Sequence, residues 1–252
     1  GLAAWFDEPI FGSFPEEAAG RAGDTTFVRF SMAKIYCVHL VLSLGYNVLH
    51  QDIDIVWNRN PLPFFDSPEM EGYDMIFQDD GDRRSPGKPF NPNSGFHFIR
   101  NNDLTVFLYG MFIRMGDVVT RKSSHQDTLN VLLNEHVNWK GLRVKVIRMG
   151  DGNPFPGGKE FKYNCAYMKQ MINNEIEPFI FHMSFTKSKE YKLANFKQLG
   201  EWYLKEDEYG SCSGGLECCL PEPNITCYYR DLPSKVPCRE SPPFKKGAAS
   251  FW

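Results

Sequence analysis

Two carboxylates one residue apart, Asp52 and Asp54, lie near the end of the run Asn47-Val48-Leu49-His50-Gln51-Asp52-Ile53-Asp54-Ile55-Val56-Trp57. The apolar part reads as a buried strand. A strand points alternate side chains to one side, so the two carboxylates share a face. Held that close, they repel unless a cation lies between them. A hard divalent ion, Mn²⁺ or Mg²⁺, relieves the repulsion and keeps positions open for phosphate oxygens. The pattern predicts a metal–diphosphate site, with solvated turn carboxylates as the plain alternative. Removing one carboxylate of such a pair is expected to change stability little, because repulsion is relieved as a ligand is lost.

A second strand end adds to the set. Phe179-Ile180-Phe181 reads as a buried strand that delivers His182 to its end. A neutral imidazole beside two carboxylates suits Mn²⁺; a structural histidine is the alternative. Lys187 follows in reach of phosphates that such an ion would hold. Lys34, on an otherwise apolar helix, either points to the same edge or snorkels to solvent.

The elements that position these residues alternate. Val28, Met32, Ile35, Val38 and Leu42 recur at helical spacing over Phe27 to Leu44, and Gly45 stops the helix. Val48 resumes as strand. Tyr73 to Gln78 reads as a strand ending in Asp79-Asp80-Gly81-Asp82, followed by a polar loop. Asn93-Ser94-Gly95 leads into a strand over Phe96 to Arg100, and Gly95 allows close backbone approach. Helices are expected over Leu104 to Met115, Ser124 to Asn134 and Lys189 to Leu204, and a short strand over Val144 to Ile147. Pro154, Pro156, Gly157 and Gly158 read as a loop. Alternation of this kind predicts an α/β domain with a mostly parallel sheet, ligands lying at the carboxyl edge.

Composition bounds the answer. A chain of 252 residues buries one sizeable core. A net charge of −3 argues against a general nucleic-acid binder. No apolar run approaches the ~20 residues that span a bilayer. The chain starts at Gly1 and reads as a fragment or a processed form, so any membrane anchor is expected outside it. Two segments are expected: a catalytic body over 1–206 and a Cys/Pro-rich tail over 207–252. Five of the 7 cysteines, Cys212, Cys218, Cys219, Cys227 and Cys238, crowd that tail. Its small core favours disulfides over zinc, with Cys165 as a further partner and Cys37, on a buried helix, as the free thiol. The sequon Asn224-Ile225-Thr226 supports a secretory-pathway lumen.

Taken in order, Lys34, Gly45-Tyr46-Asn47-Val48-Leu49, Asp52-Ile53-Asp54, Asn60-Pro61, Asn93-Ser94-Gly95, Gln126-Asp127-Thr128-Leu129-Asn130 and His182 resemble the nucleotide-diphospho-sugar transferases, GT-A glycosyltransferases that include plant rhamnogalacturonan xylosyltransferases. The resemblance spans about residues 27 to 200. It implies a GT-A-like fold and Mn²⁺ (or Mg²⁺) held by Asp52, Asp54 and His182. It implies donor-sugar contacts at Asn93, Ser94, Gly95 and an acid at or near Asp79, phosphate contacts at Lys34 and Lys187, and Gln126 and Asp127 beside the anomeric carbon. The implied partners are a nucleoside diphosphate sugar, UDP-linked, and a glycan or glycoprotein acceptor, in the Golgi lumen, with retention of configuration. Three features depart from the pattern. His125 stands where related chains carry an acid. The late motif keeps His182 and Lys187 without the Gly and Pro-Trp of relatives. The first strand and helix of the fold are not legible before residue 27. The rival readings are a metal-dependent phosphoester hydrolase and a non-catalytic secreted binding module.

Overall fold

The computed structural model describes residues 12–13, 17, 19–20, 23–81, 91–186, 188–205, 219–221, 228–229 and 232–233. Lys187, Cys212, Cys218, Cys227, Cys238 and the Asn224 sequon lie outside the described residues. The described elements, in order, are α1 (Thr25–Ser43), β1 (Val48–Gln51), β2 (Ile55–Trp57), α2 (Leu62–Phe65), α3 (Pro68–Glu71), β3 (Met75–Asp79), β4 (Pro92–Ile99), α4 (Asp103–Arg114), α5 (Gly116–Lys122), α6 (His125–Lys140), β5 (Val144–Ile147), α7 (Gly158–Tyr163), α8 (Cys165–Ile172), β6 (Ile180–His182), α9 (Lys189–Leu199), β7 (Tyr228–Tyr229) and β8 (Leu232–Pro233). They form two compact units: Gly1–Gln51 with Pro63–Val146, and Asp52–Leu62 with Ile147–Trp252.

The first unit is a sheet packed with helices. Asp24 caps α1, its carboxylate accepting from the Phe27 N–H at 2.8 Å. The α1 stripe Ile35, Val38 and Leu42 is buried with Leu108 and Phe112 of α4 and Leu129 and Leu133 of α6. Strand order is β1–β4–β3–β5. Every residue of β3 and β4 is buried, which marks them as the central strands. The expected mostly parallel sheet needs correction. β4 starts at Pro92, so Asn93, Ser94 and Gly95 lie inside it, and it runs antiparallel to both neighbours, with Gln51 opposite Phe96 and Asp79 opposite Pro92. The residue pattern of a buried strand is the same for either direction, so only the pairing decides it. As a result β1 and β3 run the same way; β3 ends opposite Pro92 at the start of β4, and β1 ends opposite Phe96. Buried Asp74 fixes the opposite end, accepting from the Arg143 N–H at 2.8 Å and Asn102 Nδ2 at 2.9 Å.

The second unit centres on a two-stranded antiparallel ribbon. β2 pairs with β6, Ile55 opposite His182 and Trp57 opposite Ile180. The expected single strand over Asn47 to Trp57 breaks at residues 52–54, where the chain leaves one sheet for another. Ile53 is fully exposed at the break. The core here is Phe161, Met168, Phe181, Met183, Phe196 and Leu199. The expected proline–glycine loop gives way to two short helices, α7 and α8. Buried Glu160 organises the first of them, accepting from the Gly157 N–H at 3.1 Å and Asn153 Nδ2 at 2.6 Å.

Only part of the cysteine expectation falls on described residues. No disulfide joins the described cysteines, Cys37 is a free thiol as expected, and it is exposed rather than buried. The buried stripe of α1 includes Ile35 and Val38, which leaves Cys37 on the solvent side. Among the described residues no helix is long and apolar enough to cross a membrane.

Gly158 is the tightest point of the second unit. A Cβ there would lie 1.7 Å from the Ser184 carbonyl oxygen, two residues past His182. Gly158→Ala should therefore push the His182–Ser184 segment away from α7 and cost about 1–3 kcal/mol or more. Urea unfolding of the variant measures this, and unchanged stability would show that the segment yields freely.

Candidate functional site

In the second unit Asp52, Asp54 and His182 converge. Each offers one ligand atom, and these atoms all lie within 4.8 Å of one another. The convergence follows from chain geometry. His182 ends β6 opposite Ile55, its N–H bonded to the Pro156 carbonyl at 3.1 Å. Met183 then donates its N–H to the Asp54 carbonyl at 3.0 Å. The backbone thus binds the acidic bend to the strand end that carries the imidazole.

The donor set fits a hard divalent ion. Around an ion with ligands at about 2.1 Å, neighbouring ligand atoms lie about 3 Å apart and opposite ones about 4.2 Å. The spacing here needs only a small contraction. His182 Nε2 already lies 3.4 Å from Asp54 Oδ1. On the other side of the same carboxylate, Lys192 Nζ contacts Oδ2. Burial alone would raise the Asp54 carboxyl, but His182 and Lys192 outweigh it and hold the group well below its ordinary value. Asp54 therefore presents an ionised carboxylate with one oxygen toward the imidazole and the other held by an ammonium. The sequence did not single out Lys192. A signal existed: a cation in the first turn of a helix opposes the helix dipole and calls for a nearby carboxylate.

The first unit holds a separate polar cluster where β4 starts. Ser94 donates its N–H to Gln126 Oε1 at 2.7 Å, and Gln126 Nε2 bonds the Pro92 carbonyl. The Gln126 amide is thus engaged at both ends by strand β4. Ser94 Oγ lies 2.9 Å from Nε2 of His125, the residue that departs from the family pattern. Asn93 Oδ1 accepts from the Gly95 N–H at 2.7 Å. The acid beside this cluster is Asp80, which accepts from Asn93 Nδ2 at 3.0 Å, whereas the Asp79 carboxylate accepts from the Gly81 N–H at 2.8 Å. Asn130 reaches the cluster through Asn91, at 2.9 Å. The structure thus brings Asn93, Ser94, Gly95 and Gln126 together with His125 and Asn130 of the same helix and with Asp80 as the acid near Asp79, and adds Asn91, which sequence pattern had not selected. Asp127, half-buried in the first turn of α6, has its N–H capped by Ser124 Oγ at 3.2 Å. Lys34 lines a small cavity with His50, Ser94, His97 and His125. Burial, then the nearby His50 and His125, keep His97 well below its ordinary value and so neutral.

These features fall within a known class. Residues 5–196 match the nucleotide-diphospho-sugar transferase family, and the chain belongs to it. The chain is 30% identical to a UDP-galactose:fucoside alpha-3-galactosyltransferase of Dictyostelium discoideum, over 76% of this chain and 31% of that protein. It is 26% identical to a beta-arabinofuranosyltransferase of Arabidopsis thaliana, over 71% of this chain and 35% of that one. It is 24% identical to a UDP-D-xylose:L-fucose alpha-1,3-D-xylosyltransferase of the same plant, over 80% of this chain and 57% of that one. The chain thus spans less than two thirds of each of these relatives. No solved structure matches it.

The partners of Asp54 give a different expectation from that of an isolated carboxylate pair, where losing one member should lower stability little. The Asp54 side chain is 12% exposed and anchors both His182 and Lys192. Asp54→Asn should cost about 1–3 kcal/mol near neutral pH. Because the folded carboxyl is depressed, this contribution is fully present above the ordinary value of 3.8 and is lost as pH falls below it. Urea unfolding of both proteins across that range measures it. A stability gap that stays constant with pH would show that the charge is not the cause.

Proposed function

We propose that this chain carries the catalytic body of a metal-dependent glycosyltransferase that moves a pentose or hexose from a UDP-sugar to a fucose-bearing glycan acceptor. The observation that carries the reading is the convergence of Asp52, Asp54 and His182, in a chain that belongs to a nucleotide-diphospho-sugar transferase family. The named substrates of the relatives supply the rest: UDP-galactose or UDP-xylose as donor, and a fucoside or L-fucose as acceptor.

In this reading Asp52, Asp54 and His182 hold Mn²⁺ or Mg²⁺, which when bound neutralises charge developing on the leaving diphosphate. Lys192 fixes the orientation of Asp54 from behind, as outer partners of metal ligands do. The backbone bond from Met183 to Asp54 keeps His182 in register with the acidic bend. The family resemblance supports phosphate contacts for Lys34 and Lys187 and donor-sugar contacts for Asp79, Asn93, Ser94 and Gly95. Gln126, tied at both ends to β4, is a positioning residue for Ser94 as it stands. Asp127, in the first turn of α6, is the carboxylate we assign to the reacting carbon. The dipole of a helix favours an anion there. An oxocarbenium-like transition state is stabilised by such a group. Transfer from an α-linked donor to the α-linked products named for two relatives corresponds to retention. The Asn224 sequon supports work in the lumen of the secretory pathway, which we assign to the Golgi.

Calorimetry with UDP tests the site. Binding should require Mn²⁺, and His182→Ala should weaken it at least ~10-fold. UDP affinity independent of the ion would overturn the metal reading, and phosphate release without any acceptor would mark a hydrolase instead. Asp127→Asn separates chemistry from capping. With the Ser124 cap kept on the backbone, kcat should fall at least ~100-fold while UDP–Mn²⁺ affinity holds. Full turnover in that variant would remove Asp127 from the mechanism.

A further inference from the structure

The last carbonyls of a helix need partners, and α9 meets that need with a Schellman turn. Gly200 is left-handed, at φ 72°, and donates its N–H to the Lys197 carbonyl at 3.3 Å. Glu201 then donates its N–H to the Phe196 carbonyl at 2.9 Å. Such a turn usually folds an apolar side chain at this last position back onto the helix. Here the position carries a carboxyl group. Glu201 is only 8% exposed, and its Oε2 is buried with no hydrogen-bond partner among the described residues.

The helix end that receives it is polar and unsatisfied in the same way. Asn195, Gln198 and Glu201 follow one another at intervals of three residues, a spacing that makes neighbours on a helix. Asn195 Oδ1 and Gln198 Oε1 are also buried and without a hydrogen-bond partner among the described residues. Amide oxygens and ionised carboxylates only accept. A row of buried acceptors with no donor is costly. One proton changes the balance, because a protonated carboxyl donates and a neighbouring amide oxygen can take that bond.

No nearby charge offers another remedy. Glu201 lines a groove to which β2 and α8 contribute no titratable side chain. The loop after α8 contributes Glu177, which is exposed, and the segment after α9 contributes Tyr203. No Lys, Arg or His is among the described lining residues. Lys197, the charged residue in the last turn of α9, stands off the buried row 194–196 and 198–199. Burial pushes the Glu201 carboxyl up to about 7.

The chain beyond Glu201 carries a docked segment. The Tyr203 carbonyl accepts from the Leu220 N–H at 2.6 Å, and Leu204 pairs with Cys219. Strand β7 also packs against α9.

We propose that Glu201 is a proton-dependent clasp: protonated, it donates to a buried amide oxygen of α9 and holds the helix end and the 219–220 segment docked beyond it. Ionised, it turns toward the groove and loosens both. The closed state keeps the proton between the ordinary value of 4.5 and about 7, where the open state has lost it. Docking is therefore firmest at the acidic end of that window and weakens as pH rises to about 7. The clasp is independent of the transferase chemistry.

Hydrogen exchange of the full chain tests it, with Glu201→Gln as the reference, since Gln keeps the shape and a permanent N–H donor. Exchange of the Gly200 and Leu220 amides in the wild type, divided by that in the variant at the same pH, should rise at least ~10-fold between about pH 5.5 and about pH 8. The amides of β3 and β4 should show no such rise. A ratio that stays flat with pH overturns the clasp, and so does a rise shared by β3 and β4, which marks global unfolding. Carboxyl NMR of the glutamate-labelled wild type is a second measurement that needs no variant to fold. One glutamate should titrate near 7, and a spectrum in which none does overturns the proposal.

Discussion

The Asp54 carboxylate is the interaction on which the second unit depends. One oxygen faces the His182 imidazole and the other the Lys192 ammonium, while the backbone carbonyl of the same residue accepts from Met183. Three separate stretches of chain are thereby tied at one residue: the acidic bend, the end of β6 and the first turn of α9. A buried ion pair is weak ground for stability by itself, because desolvation offsets much of the attraction. Removing one partner is different, since it leaves the others buried without compensation. The same charge that would hold a divalent ion is therefore part of what holds the fold.

This arrangement offsets the repulsion between Asp52 and Asp54 from within the protein. Lys192 supplies a positive charge, while the ligand atoms of Asp52, Asp54 and His182 lie within 4.8 Å of one another. A continuous strand would fix the side chains in rigid alternation. The break releases them from it and also sends the chain from one sheet into the next. Gly158 matters for a related reason. The start of α7 approaches the Ser184 carbonyl so closely that only a residue without Cβ fits, and this contact backs the segment that carries His182.

The first unit meets its constraint through hydrogen bonds. The start of β4 is gripped by Gln126, His125 and Asn130 from α6 and by Asp80 from the end of β3, partly through Asn91. Hydrogen bonds that converge from several elements hold the backbone they touch. Asn93, Ser94 and Gly95 are therefore held at one edge of the sheet, where β1 and β3 also end. His125, which departs from the family pattern, is part of this network and takes Ser94 as its partner.

Much of this was legible in the sequence. Helical spacing located α1, α4 and α6, apolar runs located β3, β5 and β6, and the residue types at strand ends marked Asp52, Asp54 and His182 as a set. Local pattern carries that information because helix and strand periods are properties of short stretches. What the sequence left open was set by pairing between distant stretches. The antiparallel direction of β4, the break between β1 and β2, the short helices after Gly157, Lys192 as the partner of Asp54 and Glu201 in its groove all depend on contacts across many residues. A side chain's own stretch states its chemistry, but only the folded chain decides which charge or ring it meets. That is why Asp52, Asp54 and His182 could be picked out from their types at strand ends, while the Lys192 partner of Asp54 could not.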